Sequence, residues 1–446
     1  MMNTIIDIPF GRRRLSVSLP PEAEPTVIRK PSLAKLPDPT GAVRDALDHP
    51  ISAVSFAELV RGRRSACILI CDITRPVPNK LFLRPMVEDL IRGGVPPERI
   101  SVVVATGLHR PAEGAELEEL VGDRWVLETV KVENHFARND DDHVDLGFTR
   151  TRGTPVKIDR RFVDADLRIV TGLIEPHFMA GWSGGRKIIA PGVAHHETIR
   201  TFHSARFMED PLAIQCNLVG NPLHEEQLEI VQMIGETYAL NTIIDEEHDL
   251  IHVNFGETIA SHRAAVDFAE KATTIPVGRR FKTVLTSSAG YPLDKTYYQT
   301  VKGMVTPLDI LEPAGTLIIA SECSEGFGSP EFRAAQAKLV ELGPDRFLAT
   351  LTAKSLAEID EWQTEMQLKP MRLGRVQLFT TGLDEEECRI TGVDLIDSIE
   401  TAVARSIASH RDPAIAVVPE GPYVVPLFTD PQRSAAESQA KSLATV

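Results

Sequence analysis

The sequence predicts an α/β protein built from two α/β domains, each with a mostly parallel sheet flanked by helices. Two observations support this prediction. The first is that short runs of Val, Ile and Leu recur along the chain, and the second is that segments whose apolar residues recur at helical spacing lie between them. Strands that are apolar throughout are typical of parallel sheets covered on both faces, and their alternation with helices indicates strand–helix–strand connections.

Seven runs are predicted as strands. They cover residues 66–72, 100–106, 167–171, 281–286, 315–320, 376–380 and 414–419. Between them, four main segments have the apolar spacing of a helix with one buried face. They cover residues 81–92, 113–121, 330–342 and 395–409.

A domain boundary is predicted near residue 275. A helical pattern over residues 258–272 is followed there by Pro276 and Gly278, both of which interrupt regular structure. We therefore expect an N-terminal α/β domain over 1–274, a C-terminal α/β domain over 275–432 and a flexible polar tail over 433–446. Whether a terminal helix returns to the first domain is left open.

The composition is that of a globular protein, and it disfavours several classes of function. Of 446 residues, 43% are hydrophobic and 25% charged, and 63 acidic against 48 basic side chains give a net charge of −15. This charge disfavours a nucleic-acid partner, but a few local arginines still permit a small anionic substrate. The chain has no apolar run of about 18 residues, no secretory signal pattern and five scattered cysteines. We therefore expect a cytoplasmic enzyme without membrane segments or disulfides.

Polar side chains follow the predicted strands at the point where each one ends. Asp72 comes after the first strand, His109 after the second and His177 after the third. In the second half of the chain, residues 287–290 and 321–326 occupy the same position. Because ligands bind outside the carboxyl ends of strands in open α/β sheets, the sequence predicts an active site in the cleft between the two domains.

Residues 183–187 have the sequence SGGRK. Glycines allow backbone N–H groups to turn toward an anion, and the lysine adds a positive charge, which together favour phosphate binding. The spacing differs from that of a Walker A loop, so a generic tight turn is an equally good interpretation. Lys187 is also a candidate nucleophilic amine, provided that burial lowers its pKa.

His109 and His177 are candidates for acid–base catalysis. Histidine exchanges protons near neutral pH, and a reaction that inverts a stereocentre needs such a group on each face of the carbon. For each histidine alone, a hydrogen-bonded structural role is the simpler interpretation. Their common position after strand ends favours the catalytic one.

Three further histidines and an acidic run have the character of metal ligands. Residues seven apart share one face of a helix, so His196 and His203 are expected to align, with His195 beside them. The spacing matches no zincin motif, which leaves a metal role for one of these histidines open. The acidic segment 139–143 offers carboxylates for a hard cation, although an exposed loop is the simpler interpretation.

Two pairs of polar residues are candidates for binding an anion. Arg75 would hold a carboxylate in the fork of its guanidinium, while Asp72 orients a neighbouring histidine; an ion pair between Asp72 and Arg75 is the alternative. Gln299 and Lys302 share a helix face and would present an amide and an ammonium to a ligand, unless that face is simply solvated.

Six motifs occur in order between residues 72 and 362. They are DITRP (72–76), ATGLHRP (105–111), EPHFMAGWSGGRKIIAPG (175–192), TFHS (201–204), YPLDKTYYQTVKG (291–303) and Trp362. In this order and spacing they resemble the motifs of the nickel-dependent lactate racemase family, whose members use a nickel-pincer nucleotide cofactor. Each motif is weak alone, and the combination is specific.

The resemblance implies a role for each matched residue in catalysis or cofactor binding. His109 and His177 are the expected acid–base residues on opposite faces of the substrate carbon. Lys187 is expected to hold the cofactor, a pyridinium-3-thioamide-5-thiocarboxylic acid mononucleotide with nickel, covalently through its thioamide, and His203 to complete the nickel coordination. The remaining expected cofactor-binding residues are Asp72, Thr74, Ser183, Gly184 and Gly185, the last three at the phosphate end.

The resemblance likewise implies a set of substrate-binding residues. These are Arg75, Tyr298, Gln299, Lys302 and Trp362, with Arg75 and Lys302 at the substrate carboxylate. In this scheme the N-terminal domain binds the cofactor. The scheme also implies cofactor-assembly enzymes as partners, and it does not select among lactate, malate, longer 2-hydroxy acids and sugar acids as substrate.

The implied activity is racemisation or epimerisation at C2 of a 2-hydroxy acid. The hydroxyl proton passes to one histidine while the α-hydrogen leaves as hydride to the cofactor, and hydride then returns to the other face of the planar 2-keto acid. Two other functions stay open from the residues alone. One is a nucleotide-binding transferase that uses residues 183–187 for phosphate, and the other is a sensor that binds its ligand without turnover.

Overall fold

The computed structural model describes residues 4–31, 33–245 and 247–430, so the predicted tail over 433–446 lies outside the described residues. The chain divides into two compact units. We call the described residues of 32–272 the continuous unit, and those of 1–31 together with 273–446 the split unit, because the second combines two separate stretches of the chain. None of the described helices is both long and apolar enough to cross a membrane.

Three short strands lie before the continuous unit: β1 (Ile5–Phe10), β2 (Arg13–Ser18) and β3 (Glu24–Val27). The strands of the continuous unit are β4 (Ala66–Cys71), β5 (Ile100–Ala105), β6 (Lys131–Asn134), β7 (His143–Phe148), β8 (Pro155–Asp159), β9 (Leu167–Leu173), β10 (Pro176–His177), β11 (Gly181–Trp182), β12 (Tyr238–Ile244) and β13 (Leu250–Glu257). Its helices are α1 (Pro39–Asp48), α2 (Phe56–Val60), α3 (Leu83–Arg92), α4 (Ala115–Val121), α5 (Arg124–Thr129), α6 (Arg160–Val163), α7 (Arg186–Ile189), α8 (His196–Phe202), α9 (Ala205–Met208), α10 (Pro222–Ile234) and α11 (Thr258–Thr273).

A six-stranded sheet in the order β13-β12-β9-β4-β5-β6 forms the centre of the continuous unit. Strands β12, β9, β4, β5 and β6 are parallel, and β13 pairs antiparallel with β12. Every residue of β4 is buried, which is typical of a central parallel strand covered on both faces. The predicted strands over 66–72, 100–106 and 167–171 are therefore confirmed as β4, β5 and β9.

In the split unit, the remaining strands are β14 (Thr274–Val277), β15 (Phe281–Ser287), β16 (Leu311–Ala320), β17 (Arg375–Phe379), β18 (Asp394–Leu395), β19 (Ala414–Val418) and β20 (Val425–Phe428). The helices are α12 (Tyr297–Val305), α13 (Pro330–Leu342), α14 (Pro344–Thr352), α15 (Glu361–Leu373), α16 (Glu385–Ile390) and α17 (Ile399–His410). The main sheet has the order β18-β17-β16-β15-β19-β3, and all of its neighbouring strands are parallel.

One core cluster of the split unit shows how its sheet is covered. Leu285, Ile318 and Val417 from three adjacent strands pack with Ile399 and Val403 of α17, and all five are buried. Burying an aliphatic side chain of this size stabilises a fold by about 1.5–3 kcal/mol before entropy is counted. The fold is thus mixed α/β, with mostly parallel sheets flanked by helices, as the sequence predicts.

The first 31 residues are grouped differently in the structure and in the sequence prediction. The prediction assigned them to the domain over 1–274, whereas in the structure they belong to the split unit. Strand β3 causes this grouping, since Glu24–Val27 pairs in parallel with β19 at one edge of the sheet. Only four residues long and mostly exposed, β3 has no apolar run that indicates which sheet it joins. At the other boundary, the contacts divide the chain between residues 272 and 273.

The last residues that the structure describes, up to residue 430, belong to the split unit. Strand β20 pairs in parallel with β14, so the segment before residue 430 returns to the start of the second half of the chain as a strand rather than as a helix. The strands β12 and β13 were also not predicted. They form an antiparallel pair at one edge, and β13 carries half-buried polar residues such as His252 that interrupt an apolar pattern.

Candidate active site

Three parallel strands of the continuous unit end at the residues singled out in the sequence. Strand β4 ends at Cys71, directly before Asp72, and β5 ends at Ala105, four residues before His109. Strand β9 ends at Leu173 and leads into the segment with His177. Because β9, β4 and β5 are adjacent and parallel, their carboxyl ends meet at one edge of the sheet. The loops that follow these strands build the candidate site.

Asp72 holds His109 in place. The Nδ1 of His109 lies 2.5 Å from Oδ2 of Asp72, while Oδ1 accepts hydrogen bonds from the hydroxyl of Thr74 at 2.6 Å and from its backbone N–H at 3.1 Å. Burial favours a raised pKa for Asp72, but the hydrogen bond and charge of His109, with Thr74 and Arg75, outweigh it and lower that pKa. An ionised Asp72 therefore orients His109, whose side chain is 58% exposed.

Arg75 forms an ion pair with Glu175. The Nε of Arg75 lies 3.0 Å from Oε1 of Glu175, and about a quarter of each side chain is exposed. Of the two alternatives left by the sequence, the structure supports orientation of a histidine by Asp72. Glu175 was not singled out, although its position after β9 at the same sheet edge as Arg75 is a usable signal.

His177 lies beside Lys187. Strands β10 and β11 form a tight antiparallel pair, and within it the Nδ1 of His177 accepts hydrogen bonds from the backbone N–H groups of Met179 at 3.4 Å and Ala180 at 3.2 Å. The Nε2 of His177 lies 3.1 Å from Nζ of Lys187. In a neutral ring that accepts at Nδ1, Nε2 carries the proton, so a Lys187 amine that accepts this proton is itself uncharged.

The loop between β11 and α7 is a tight turn that its neighbours fix. The hydroxyl of Ser183 donates to the carbonyl of Leu173 at 2.7 Å and accepts from the N–H of Glu175 at 3.0 Å. Gly184 and Gly185 have φ values of 75° and 46°, a region that favours glycine. A Cβ on Gly184 would lie 2.4 Å from a methyl of the adjoining Ile174 side chain. Residues 183–185 thus form a tight turn, and phosphate binding by this turn stays a prediction.

Arg186 fixes the same loop from the protein interior, and the sequence did not predict this role. Its guanidinium is buried and donates to the carbonyls of Ala180 at 3.0 Å and Trp182 at 3.1 Å, and to Nε2 of His262 at 2.7 Å. Burial lowers the pKa of Arg186 to about 9. In the sequence, an arginine next to a lysine gives no sign that one of the two is structural. Only the packing of the folded chain decides which of the two side chains is buried.

His203 has the chemistry of a metal ligand. It follows the last residue of α8, and its Nδ1–H donates to the carbonyl of Ile199 at 2.8 Å, which leaves the lone pair on Nε2. Burial lowers the pKa of His203 to about 4. A neutral imidazole whose other nitrogen donates to a carbonyl is the usual form of a metal-bound histidine. His203 and Lys187 therefore fit the cofactor that the resemblance implies.

His195 and His196 lie elsewhere in the same unit. The Nε2 of His195 lies 2.8 Å from Oδ1 of Asp140, and the rings of His195 and His196 are 4.2 Å apart between centroids. The acidic segment that includes Asp140 therefore contacts these histidines, a contact between distant parts of the chain that the sequence did not indicate.

The predicted substrate-binding residues of the second half lie in the split unit. Tyr298 and Trp362 are brought together, since Nε1 of Trp362 donates to the Tyr298 hydroxyl at 3.3 Å. Gln363, which the sequence did not single out, donates to the carbonyl of Tyr298 at 2.6 Å. Gln299 and Lys302 lie on α12, and Oε1 of Gln299 is buried without a hydrogen-bond partner among the described residues. An unpaired buried amide oxygen is a group that a ligand can satisfy.

Comparison with known proteins gives consistent matches over nearly the whole chain. Residues 10–215 match the family model described as the lactate racemase N-terminal domain, and residues 279–425 match the lactate racemase C-terminal domain. The chain is 29% identical over 436 residues to a lactate racemase of Thermoanaerobacterium thermosaccharolyticum, covering 94% of this chain and 98% of the relative. It is 28% identical over 425 residues to a lactate racemase of Lactiplantibacillus plantarum, covering 94% and 99%.

Two solved structures are similar to this one. The lactate racemase apoprotein from Thermoanaerobacterium thermosaccharolyticum matches with a TM-score of 0.86 at 27% identity, over 95% of this chain and 100% of that chain. A crystal structure of a protein from Thermotoga maritima matches with a TM-score of 0.64 at 19% identity, over 84% and 96%. The second match supports the fold alone.

Proposed function

Because this chain belongs to the lactate racemase family and its relatives support racemase activity, we propose that it inverts C2 of a 2-hydroxy acid with a nickel-pincer nucleotide. One observation carries the proposal: Nζ of Lys187, the candidate covalent anchor, lies 3.1 Å from Nε2 of the candidate acid–base residue His177. The covalent anchor and a proton-transfer group are thus in contact.

Lys187 and His203 are the proposed attachment points of the cofactor. An amine is nucleophilic only when uncharged, and the proton that His177 directs at Lys187 from Nε2 favours that state. The neutral imidazole of His203 suits nickel together with sulfur and carbon donors from the cofactor. We assign the phosphate end to the turn at Ser183, Gly184 and Gly185, and supporting contacts to Asp72 and Thr74.

His109 and His177 are the proposed acid–base pair. When bound, the cofactor supplies a group that accepts hydride from C2 and returns it. His109 removes or restores the proton of the substrate hydroxyl for one enantiomer, while the ionised Asp72 keeps its Nδ1 engaged and stabilises its charged form. His177 performs the same exchange for the other enantiomer, because inversion presents the hydroxyl to the opposite face.

The substrate carboxylate is proposed to bind Arg75 and Lys302. Glu175 holds the guanidinium of Arg75 at Nε, and the carbonyl of Thr74 accepts from its Nη1 at 3.3 Å, so that the group is held in one orientation in which it can bind a carboxylate. Gln299, with its unpaired Oε1, is a proposed acceptor for a substrate hydroxyl, and Tyr298 and Trp362 are proposed lining residues. We further propose that the protein acts in the cytoplasm and receives its cofactor from dedicated assembly enzymes.

The function is tested by producing the protein together with the cofactor-assembly enzymes and incubating it with single enantiomers of lactate, malate and aldonic acids. Chiral chromatography should show conversion of at least one of them to the opposite configuration at C2. Binding of a 2-hydroxy acid without conversion would instead favour the sensor, and tight ATP binding by nickel-free protein would favour the transferase. Either result contradicts the racemase proposal.

The covalent anchor has its own test. Intact-protein mass spectrometry should show a cofactor adduct on the wild-type chain and none on Lys187→Ala. Arg186→Lys is not a suitable control, since Arg186 is buried in the loop; Lys157→Ala, on the strand β8 of the same unit, is matched in charge. An adduct that persists on Lys187→Ala would exclude the assigned anchor.

A further inference from the structure

A second group of metal-type side chains lies in the continuous unit, separate from the residues assigned to the cofactor. We call Asp140, His195 and His196 the Asp140 cluster. One ligand atom from each residue lies within 4.8 Å of those of the other two. Asp140 belongs to the short turn between β6 and β7, whereas His195 and His196 begin α8. The fold joins two segments that are 55 residues apart along the chain.

The cluster extends from the protein interior to the solvent. His195 is 2% exposed, while the carboxylate side chain of Asp140 is 87% exposed. Nε2 of His195 faces Oδ1 of Asp140 at 2.8 Å, and the ring of His196 lies against that of His195. The two imidazoles are therefore held in place by packing, and an ion can reach them from the side of Asp140.

A buried histidine next to the cluster gives an independent sign of a missing ligand. His143 donates from Nδ1 to the carbonyl of Asn139 at 2.7 Å, so its Nε2 carries the lone pair. That nitrogen is buried and has no hydrogen-bond partner among the described residues. The ring of His143 lies 5.0 Å from that of His195 between centroids. A buried acceptor without a donor is costly, and such groups are commonly satisfied by water or water bound to an ion.

A second group of ligand-type residues, found among the described residues of the unit, differs from the Asp140 cluster. Asp245, Glu247 and Asp249 also lie close together, but the ammonium of Lys35 is among them, 2.6 Å from Asp249 and 3.6 Å from Asp245. A cation of the chain itself therefore balances that group. In the Asp140 cluster the partner of the carboxylate is an imidazole, which is a ligand for the same metals as the carboxylate.

We propose that Asp140, His195 and His196 bind a divalent transition metal ion of the class that prefers imidazole, of which Zn²⁺ is the simplest probe. Two nitrogens and one oxygen form a common ligand set for such ions, and three protein ligands leave a position for water. The metal takes the place of the proton between His195 and Asp140, and that proton moves to Nδ1 of His195. The Nδ1 contact with the N–H of Glu197, long at 3.3 Å, is given up.

The proposed site is independent of the cofactor site. His196 begins α8 and His203 follows its last residue, so the two histidines are roughly 10 Å apart at a rise of about 1.5 Å per residue. The proposal therefore stands whether or not the racemase assignment is correct.

The test is a zinc titration of the full chain, produced without cofactor and treated with a chelator. In competition with a chromophoric chelator, the wild-type protein should bind one Zn²⁺ that depends on the cluster. His196→Gln and Asp140→Asn should each weaken this binding by about 10-fold or more. Asp141→Asn, a neighbouring exposed carboxylate in the same turn, is the matched control and should bind as the wild type does.

Further measurements separate this site from others and from folding defects. His203→Gln should keep the cluster-dependent zinc, since His203 belongs to the cofactor site. Zinc should raise the thermal unfolding temperature of the wild type and of Asp141→Asn, but not that of His196→Gln. Because the Asp140 side chain is exposed, Asp140→Asn is expected to fold even if His196→Gln does not. The proposal would be overturned if Asp140→Asn bound zinc as tightly as the wild type does, or if His203→Gln lost the bound zinc. It would also be overturned if the wild type bound less than one zinc ion per chain.

Discussion

Two histidine–aspartate pairs of the continuous unit share the same contact, from Nδ1 of the histidine to the carboxylate. They differ in the exposure of the histidine and in the partner of its Nε2. Nδ1 of the histidine faces a buried aspartate at 2.5 Å in His109–Asp72 and at 3.0 Å in His135–Asp159. The side chain of His135 is fully buried, and its Nε2 bonds to the carbonyl of Ala194 at 3.1 Å. The side chain of His109 is 58% exposed, with only Nδ1 engaged by the aspartate.

The aspartates differ in the same way. Burial favours a raised pKa for Asp159, but hydrogen bonds from Arg161 and His135 and their charges lower it well below the usual value. Asp159 also accepts from the backbone N–H of Arg161 at the start of α6. That pair therefore joins a strand end, a helix start and a distant loop. A histidine–aspartate pair is suited to proton transfer when the second nitrogen is accessible, and to structure when it is not.

The largest expected effect separates the two pairs by activity. His109→Gln should lower the racemisation rate by about 10²–10⁴-fold, because the residue is proposed to move the hydroxyl proton directly. Its thermal unfolding temperature should stay near that of the wild type, since the side chain is mostly exposed. Chiral chromatography and a thermal melt on the same preparation measure both. Near wild-type turnover would remove His109 from the mechanism.

The reciprocal change should act on stability. His135→Gln leaves the buried Asp159 with one hydrogen bond fewer, and should lower the free energy of unfolding by about 1–3 kcal/mol. Turnover per folded molecule should not change, because His135 is not among the proposed catalytic groups. Denaturant unfolding followed by activity of the folded fraction checks this. A stable variant that has lost turnover would reverse the roles of the two pairs.

Histidines that lose solvent contact on folding and have no aspartate partner should make stability depend on pH. Burial lowers the pKa of His224 to about 3, with the charges of Arg186 and Arg263 adding to it, and His262 packs nearby. The unfolded chain binds this proton near pH 6.5 and the folded chain only near pH 3. Between these values the unfolded state binds more protons, so stability falls as the pH is lowered, by up to about 1.4 kcal/mol per pH unit for each such proton.

His224→Gln should reduce by one the number of protons that the chain takes up on unfolding at acidic pH. Free energies of unfolding measured by denaturant at several pH values between 6.5 and 4 should show a shallower slope for the variant than for the wild type. His49→Gln, which changes an exposed histidine in a helix of the same unit, is the control and should keep the wild-type slope. Equal slopes for all three proteins would contradict the assignment of a neutral, partly buried His224.

The smallest expected effect concerns the partly exposed pair of Arg75 and Glu175. Glu175→Gln removes the charge that holds the guanidinium, and partly exposed ion pairs contribute about 0–1 kcal/mol. The KM for the 2-hydroxy acid should therefore rise by at most about fivefold, with kcat nearly unchanged. Steady-state kinetics with one enantiomer measures this. A large loss of kcat would show that Glu175 acts on the reacting atoms and not through Arg75.

The sequence was most informative where chemistry follows buried strands. The apolar runs of β4, β5 and β9 predict parallel strands, and their carboxyl ends bring the loops with Asp72, His109 and His177 to one edge. The pattern failed at β3, whose four mostly exposed residues carry no signal of their partner strand. It also failed at β12, where the buried polar residues Asn241 and Thr242 interrupt the apolar run, and at the edge strand β13, which carries half-buried polar residues.

Two kinds of residue were not predicted from the sequence. Arg186 and Glu175 act by contacts with residues that they do not adjoin in sequence, and their residue types are common on any surface. The contact of Asp140 with His195 joins segments 55 residues apart, and the two motifs looked unrelated because neither has a metal-ligand spacing of its own.

The sequence by itself determined the α/β class, the positions along the chain of the strands with buried faces, and the motifs that assign the chain to its family. These follow from local composition and periodicity, which one chain displays directly. Only the tertiary structure decided which histidine pairs with which aspartate, which of two neighbouring basic side chains is buried, and which unit receives the first 31 residues. Those outcomes depend on hydrogen bonds and packing between distant segments, and they arise only when the chain is folded.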